Sequence, residues 1–150
     1  MAYEPLYLAY LVYFNRDRDY FECHEVLEEL WLAKDKDPLY KGLLQVAVGL
    51  YHFRNNNVRG GRMMLQGAAA KLENYPARTL GIDLAKLVGE VKAYGVRLES
   101  FADQPFPYYD LSIDIVDSAL VAEVALAAPG IETNHPQRRG PQRPDRARHK

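Results

Sequence analysis

Apolar residues recur at spacings of three and four along most of the chain, the signature of amphipathic helices. Leu6, Tyr7, Tyr10, Leu11 and Phe14 predict a first helix over about residues 4–14, broken by Asn15, Arg16, Asp17 and Arg18. Asp19, with Glu22 three residues on, resembles a capping box and opens a second helix that runs to about Lys34. After a charged break, Asp37 as N-cap and Pro38 at the first helical position start a third, since proline's missing N–H has no intrahelical use there. This third helix, to about Asn55, is apolar on more than one side: Leu39, Leu43, Val46, Leu50 and Phe53 form one face, Leu44, Val48 and Tyr51 another. It is expected at the centre. Gly42 and Gly49 share one of its stripes, where each lowers helix propensity and lets a neighbouring backbone come close.

A fourth helix follows Asn57, with Val58, Gly61, Leu65, Ala68, Ala69 and Leu72 on one face, and Pro76 ends it. Asp83 caps a fifth to about Ser100, with Ile82 placed to staple against Leu87. Leu111 to Ile115 alternates as a strand would, whereas Ala119 to Ala127 favours helix, and the segment as a whole is read as helical. From Pro129, proline, glycine and arginine replace apolar residues, which leaves too little burial to offset the entropy of ordering. The fold class is therefore all-α: one compact bundle of about five helices over residues 1–110, a C-terminal element over 111–128 and a disordered basic tail over 129–150.

Composition narrows the setting. With 150 residues and 48% hydrophobic content, the chain can bury one core. No stretch reaches the roughly 18 to 20 apolar residues of a membrane span, and the first residues lack the basic and apolar regions of an export signal. A single cysteine, Cys23, excludes an internal disulfide and a thiolate-built zinc site, so a reducing cytoplasm is expected. The net charge of −1 conceals +5 over residues 134–150 and −6 over the rest. An acidic body argues against a nucleic-acid-binding face, and any such affinity belongs to the tail.

Chemistry-bearing residues concentrate in the second and third helices. At about 100° per residue, Tyr20, His24, Leu27 and Trp31 share one face, Glu28 lies at its margin, and Glu22, Glu25 and Glu29 fall beyond it. His24 and Glu28, spaced i,i+4, can share a hydrogen bond or a ligand. On the third helix Gln45 and His52 form a matching polar stripe, expected to meet His24 and Glu28 with Trp31 closing one side. Two readings stand. In one, the cluster is a satisfied structural network. In the other, His24 and Glu28 act as acid and base, or together with His52 hold a divalent metal cofactor, with Gln45 and Trp31 in support. A metalloprotease is excluded because His-Glu-x-x-His would need its second histidine where Glu28 stands. Gly60-Gly61-Arg62 lacks the ending of a phosphate loop, and an acidic setting disfavours Cys23 as a nucleophile.

Phe14-Asn15, the run from Tyr20 to Trp31 and the run from Tyr40 to Ala47 resemble a bacterial and archaeal family, domain of unknown function 309. That family is recognised by a His-Glu-x-Leu-Glu-x-x-Trp helix followed by a Gly-Leu-(Ile/Leu)-Gln-x-Ala helix. The resemblance covers roughly residues 5–75. It implies an all-helical fold and a site at His24, Glu28, Trp31 and Gln45, and brings no activity, cofactor or substrate. The role expected is binding to a protein partner or assembly into a homo-oligomer, with a small metal-dependent or acid/base enzyme, such as a hydrolase, as the alternative.

Overall fold

A computed structural model describes residues 3–132. Helix α1 (Pro5–Val12) widens into a π turn (Tyr13–Asp17). Helices α2 (Tyr20–Ala33), α3 (Pro38–Arg54), α4 (Val58–Leu72) and α5 (Leu84–Glu99) follow, and α6 (Ser118–Ala127) leads into a 3-10 turn (Ala128–Gly130). Between α4 and α5 a two-residue hairpin pairs β1 (Arg78–Thr79) with β2 (Ile82–Asp83). The all-α reading holds, with this hairpin as the one regular exception among the described residues.

The caps sit where side-chain chemistry predicts them. Asp19, Asp37, Asn57 and Asp83 accept from the backbone N–H of Glu22, Leu39, Gly60 and Lys86 at 2.9–3.1 Å. The backbone N–H of Asp19 is taken by the Tyr13 carbonyl at 2.9 Å, so a backbone bond stands where a capping box would put a glutamate. Helix α3 packs between α2 and α4, and Leu43, Val46, Ala47 and Leu50 are inaccessible to solvent. The glycine stripe is its contact with α4. A Cβ at Gly42 would lie 2.7 Å from Leu72, and one at Gly49 would lie 2.7 Å from Leu65 and 3.2 Å from the Gly61 carbonyl oxygen.

Gly89 on α5 is the opposite case, because none of the described residues lies within 4 Å of where its Cβ would stand. Gly89→Ala is expected to raise stability by about 0.8–1 kcal/mol through helix propensity alone. Urea titration checks this, and a loss would mean that the open side of α5 is covered.

Two segments differ from expectation. Asn15 to Asp17 continue the first helix as a π turn, and the left-handed Arg18 (φ 54°) then redirects the chain. The reason is a distant partner: the Asn15 side chain donates to the Ile113 carbonyl and accepts from its N–H, both at 2.9 Å. Residues 111–117 are an extended strap, and helix begins only at Ser118. The alternation was the decisive signal, since Leu111 and Ile113 are buried while Ser112 and Asp114 are exposed, and Ile115 bridges Ile82. Arg18 donates to the Leu111 carbonyl and to Ser112 Oγ. Arg16 donates to the carbonyls of Ala128 and Ile131 at 3.0 and 2.8 Å, fastening the first residues of the expected tail. Residues 133–150 lie outside the described residues. Among those described, no helix is long and apolar enough to cross a membrane.

Candidate functional site

Along α2, Phe21, His24, Glu25, Glu28 and Trp31 form a half-buried row at helical spacing. On α3 the half-buried row is Lys41, Gln45, Val48 and His52, and on α4 it is Gly60, Met64, Gly67 and Lys71. The rows are in register. Lys41 Nζ stands 4.6 Å from the centre of the Trp31 ring at one end of α2 and α3, and the rings of Phe21 and Tyr51 are 6.1 Å apart at the other. The three rows form one half-buried strip centred on α3, hollowed into a groove between α2 and α3 where Tyr20, Phe21, His24, Val48, Tyr51 and His52 line it.

His24 lies mid-groove, its side chain 15% exposed. Glu28 Oε1 is 3.6 Å from its Nε2, as the i,i+4 spacing predicts. Glu25 Oε2 is 3.2 Å from its Nδ1. Helical angles alone place Glu25 off this face, but its side chain is long enough to turn sideways onto the neighbouring ring. The sequence signal for it is simply a second glutamate beside the histidine. One donor atom each from His24, Glu25 and Glu28 fit within 4.8 Å of one another.

His52 shares with His24 a cavity of about 80 Å³, also lined by Tyr20, Phe21, Val48 and Tyr51. Its ring stands 3.5 Å from Asn57 Nδ2, and it does not join the donor trio. Gln45 takes another direction: its amide lies over Gly67 of α4, where a Cβ would come within 3.3 Å of its Oε1. Both Gln45 Oε1 and the Trp31 indole Nε1 are buried without a hydrogen-bond partner among the described residues. The structure thus joins His24 to Glu28, sets His52 on the adjoining cavity, and leaves Gln45 and Trp31 as separate polar points along the same groove. Cys23 is fully buried, and burial reinforced by the Asp19 and Glu22 carboxylates pushes its thiol well above the usual range, which removes it as a nucleophile.

The family model for domain of unknown function 309 matches residues 7–64. An uncharacterized protein of Bacillus subtilis (strain 168), YpuF, is 32% identical over 123 residues, which is 79% of this chain and 68% of that protein. The chain belongs to the domain of unknown function 309 family. An uncharacterized protein of Aquifex aeolicus (strain VF5) is 34% identical over 79 residues, 51% of this chain and 22% of that protein. No solved structure matches significantly. The part matched by the family model reaches from α1 into α4, so it contains His24, Glu25, Glu28, Trp31, Gln45 and His52 together with α2 and α3, the two helices that line the groove. The strap, α5 and α6 fall outside it.

Proposed function

We propose that the protein is a binding module, and that the groove along α3 receives a polar group presented by a partner protein or by a second copy of the chain. One observation carries the reading. The Trp31 indole N–H and the Gln45 amide oxygen are buried without partners among the described residues, and each such group costs about 1–3 kcal/mol unless something supplies its hydrogen bond. A ligand that parts the side chains covering these two atoms, and offers an acceptor to the first and a donor to the second, would satisfy both. Lys41, beside the Trp31 ring, adds a cation at the same end. The single buried thiol, Cys23, suits a reducing cytoplasm, the compartment in which this binding is proposed to occur.

The test is spectroscopic. A ¹⁵N-labelled full chain is titrated with small polar fragments, and the indole N–H of Trp31, the only tryptophan, and the side-chain amide of Gln45 are followed. Their signals are expected to move together with the backbone of α2 and α3. Shifts confined to α5 and α6 would refute the reading. Gln45→Leu sharpens the comparison, because it removes an unpartnered buried amide while keeping much of its bulk. Stability without fragment is expected to rise by about 1 kcal/mol in urea titration, while the fragment-induced shifts disappear. A loss of stability would show that the amide is already satisfied within the fold.

A further inference from the structure

The geometry points to a divalent transition-metal site in the wall of this groove, with His24 Nε2 and a Glu28 carboxylate oxygen as ligands and Glu25 as the group that orients the ring. It rests on the binding reading and names the chemistry of one ligand. Two donors each about 2.0–2.2 Å from a tetrahedral zinc ion stand about 3.3–3.6 Å apart. The observed separation of His24 Nε2 and Glu28 Oε1 is 3.6 Å, so an ion fits between them with little side-chain movement. The other ring nitrogen faces Glu25 Oε2 at 3.2 Å. A neutral imidazole that donates its Nδ1 proton to that carboxylate has its lone pair on Nε2, facing Glu28. Metal-ligating histidines are commonly held this way, by a carboxylate on the far nitrogen that fixes tautomer and ring angle.

The surroundings supply the remaining conditions. Glu28 is 32% exposed, which gives an ion a path from solvent and lets water fill the coordination positions that the protein leaves open. One imidazole nitrogen and one carboxylate oxygen, without a thiolate, suit zinc and its first-row neighbours better than magnesium, which takes oxygen ligands. His52, the expected third ligand, belongs to the cavity and not to the ion's first contacts.

The experiment uses the full chain, freed of metal by chelation and titrated calorimetrically with zinc chloride and, separately, magnesium chloride. Zinc is expected to bind in the groove and magnesium not at the same concentrations. His24→Gln and Glu28→Gln should each weaken zinc binding by at least about tenfold, and Glu25→Gln by about 10–100-fold, with unchanged circular-dichroism melts. The ring ¹⁵N shifts of His24 should show a proton on Nδ1 and the metal on Nε2, with the Nδ1 proton population altered in Glu25→Gln. A purely structural glutamate would leave that tautomer alone. Zinc affinity equal to wild type in both His24→Gln and Glu28→Gln would place the ion elsewhere, for example on His135 or His149, and would overturn the site. Fragment shifts at Trp31 and Gln45 that persist in a chain binding no zinc would remove the ion alone, whereas loss of both would remove the groove reading as well.

Discussion

Gly49→Leu is expected to destabilise the protein by about 2 kcal/mol, well beyond the effect of a surface substitution. A Cβ at this position already comes within 2.7 Å of Leu65 Cγ and 3.2 Å of the Gly61 carbonyl oxygen, so the clash begins before the rest of the side chain is added. Part of the obstruction is backbone, which cannot swing aside as a flexible side chain can. Overpacking should cost about 3 kcal/mol, the upper end of the usual range, and the gain in helix propensity returns only about 0.8 kcal/mol. A net loss of about 2 kcal/mol in urea titration is the expected result. Because α3 and α4 would be forced apart, fragment shifts at Gln45, whose amide lies over Gly67, should weaken too. Stability equal to wild type would mean that the two helices can slide apart at no cost.

Ending the chain at Asp110 is expected to cost still more. Leu111, Ile113 and Leu120 are 5%, 3% and 0% exposed, and removing them both deletes their burial and uncovers what they pack against. At about 1.5–3 kcal/mol for each side chain, the loss is about 4.5–9 kcal/mol, comparable with the entire stability of a typical domain. A chain of 110 residues should therefore show no cooperative thermal melt by far-ultraviolet circular dichroism. A chain ending at Glu132 should melt within a degree or two of the full chain, because residues 133–150 contain no large apolar side chain. A cooperative melt of the shorter chain near the full-length temperature would show the core to be complete without the strap and α6.

Helices two to five were legible because their signals are local. Asp19, Asp37, Asn57 and Asp83 cap through their own first turns, and the apolar spacing repeats inside each helix. The π turn was not legible, because the Asn15 side chain is committed to Ile113, 98 positions away. The hairpin hid for a related reason. Leu80 and Gly81 turn with φ of 54° and 75°, and leucine carries no sequence mark for that conformation. Its carbonyl accepts from the Tyr7 hydroxyl at 2.8 Å, a tertiary contact that helps hold the turn. In the site, the His24 and Glu28 pair followed from helix geometry. Glu25 did not, since angular projection ignores how far a long side chain bends. Gln45 sits between two neighbours of α3, and one helix's periodicity cannot decide which of them it meets.

The strap is held largely by main-chain recognition. Asn15 grips both polar atoms of the Ile113 backbone, Arg18 takes the Leu111 carbonyl, and the Gly81 carbonyl accepts from Val116 N–H at 2.8 Å. Such a lock counts residues and is indifferent to the identity of those pointing outward. Asp114 can change freely as far as these main-chain bonds are concerned, and Ser112 adds only its hydroxyl as an acceptor for Arg18, but one residue inserted or deleted between Ile113 and Val116 would break the spacing between the Asn15 and Gly81 bonds. In this part of the chain, length is constrained more tightly than spelling.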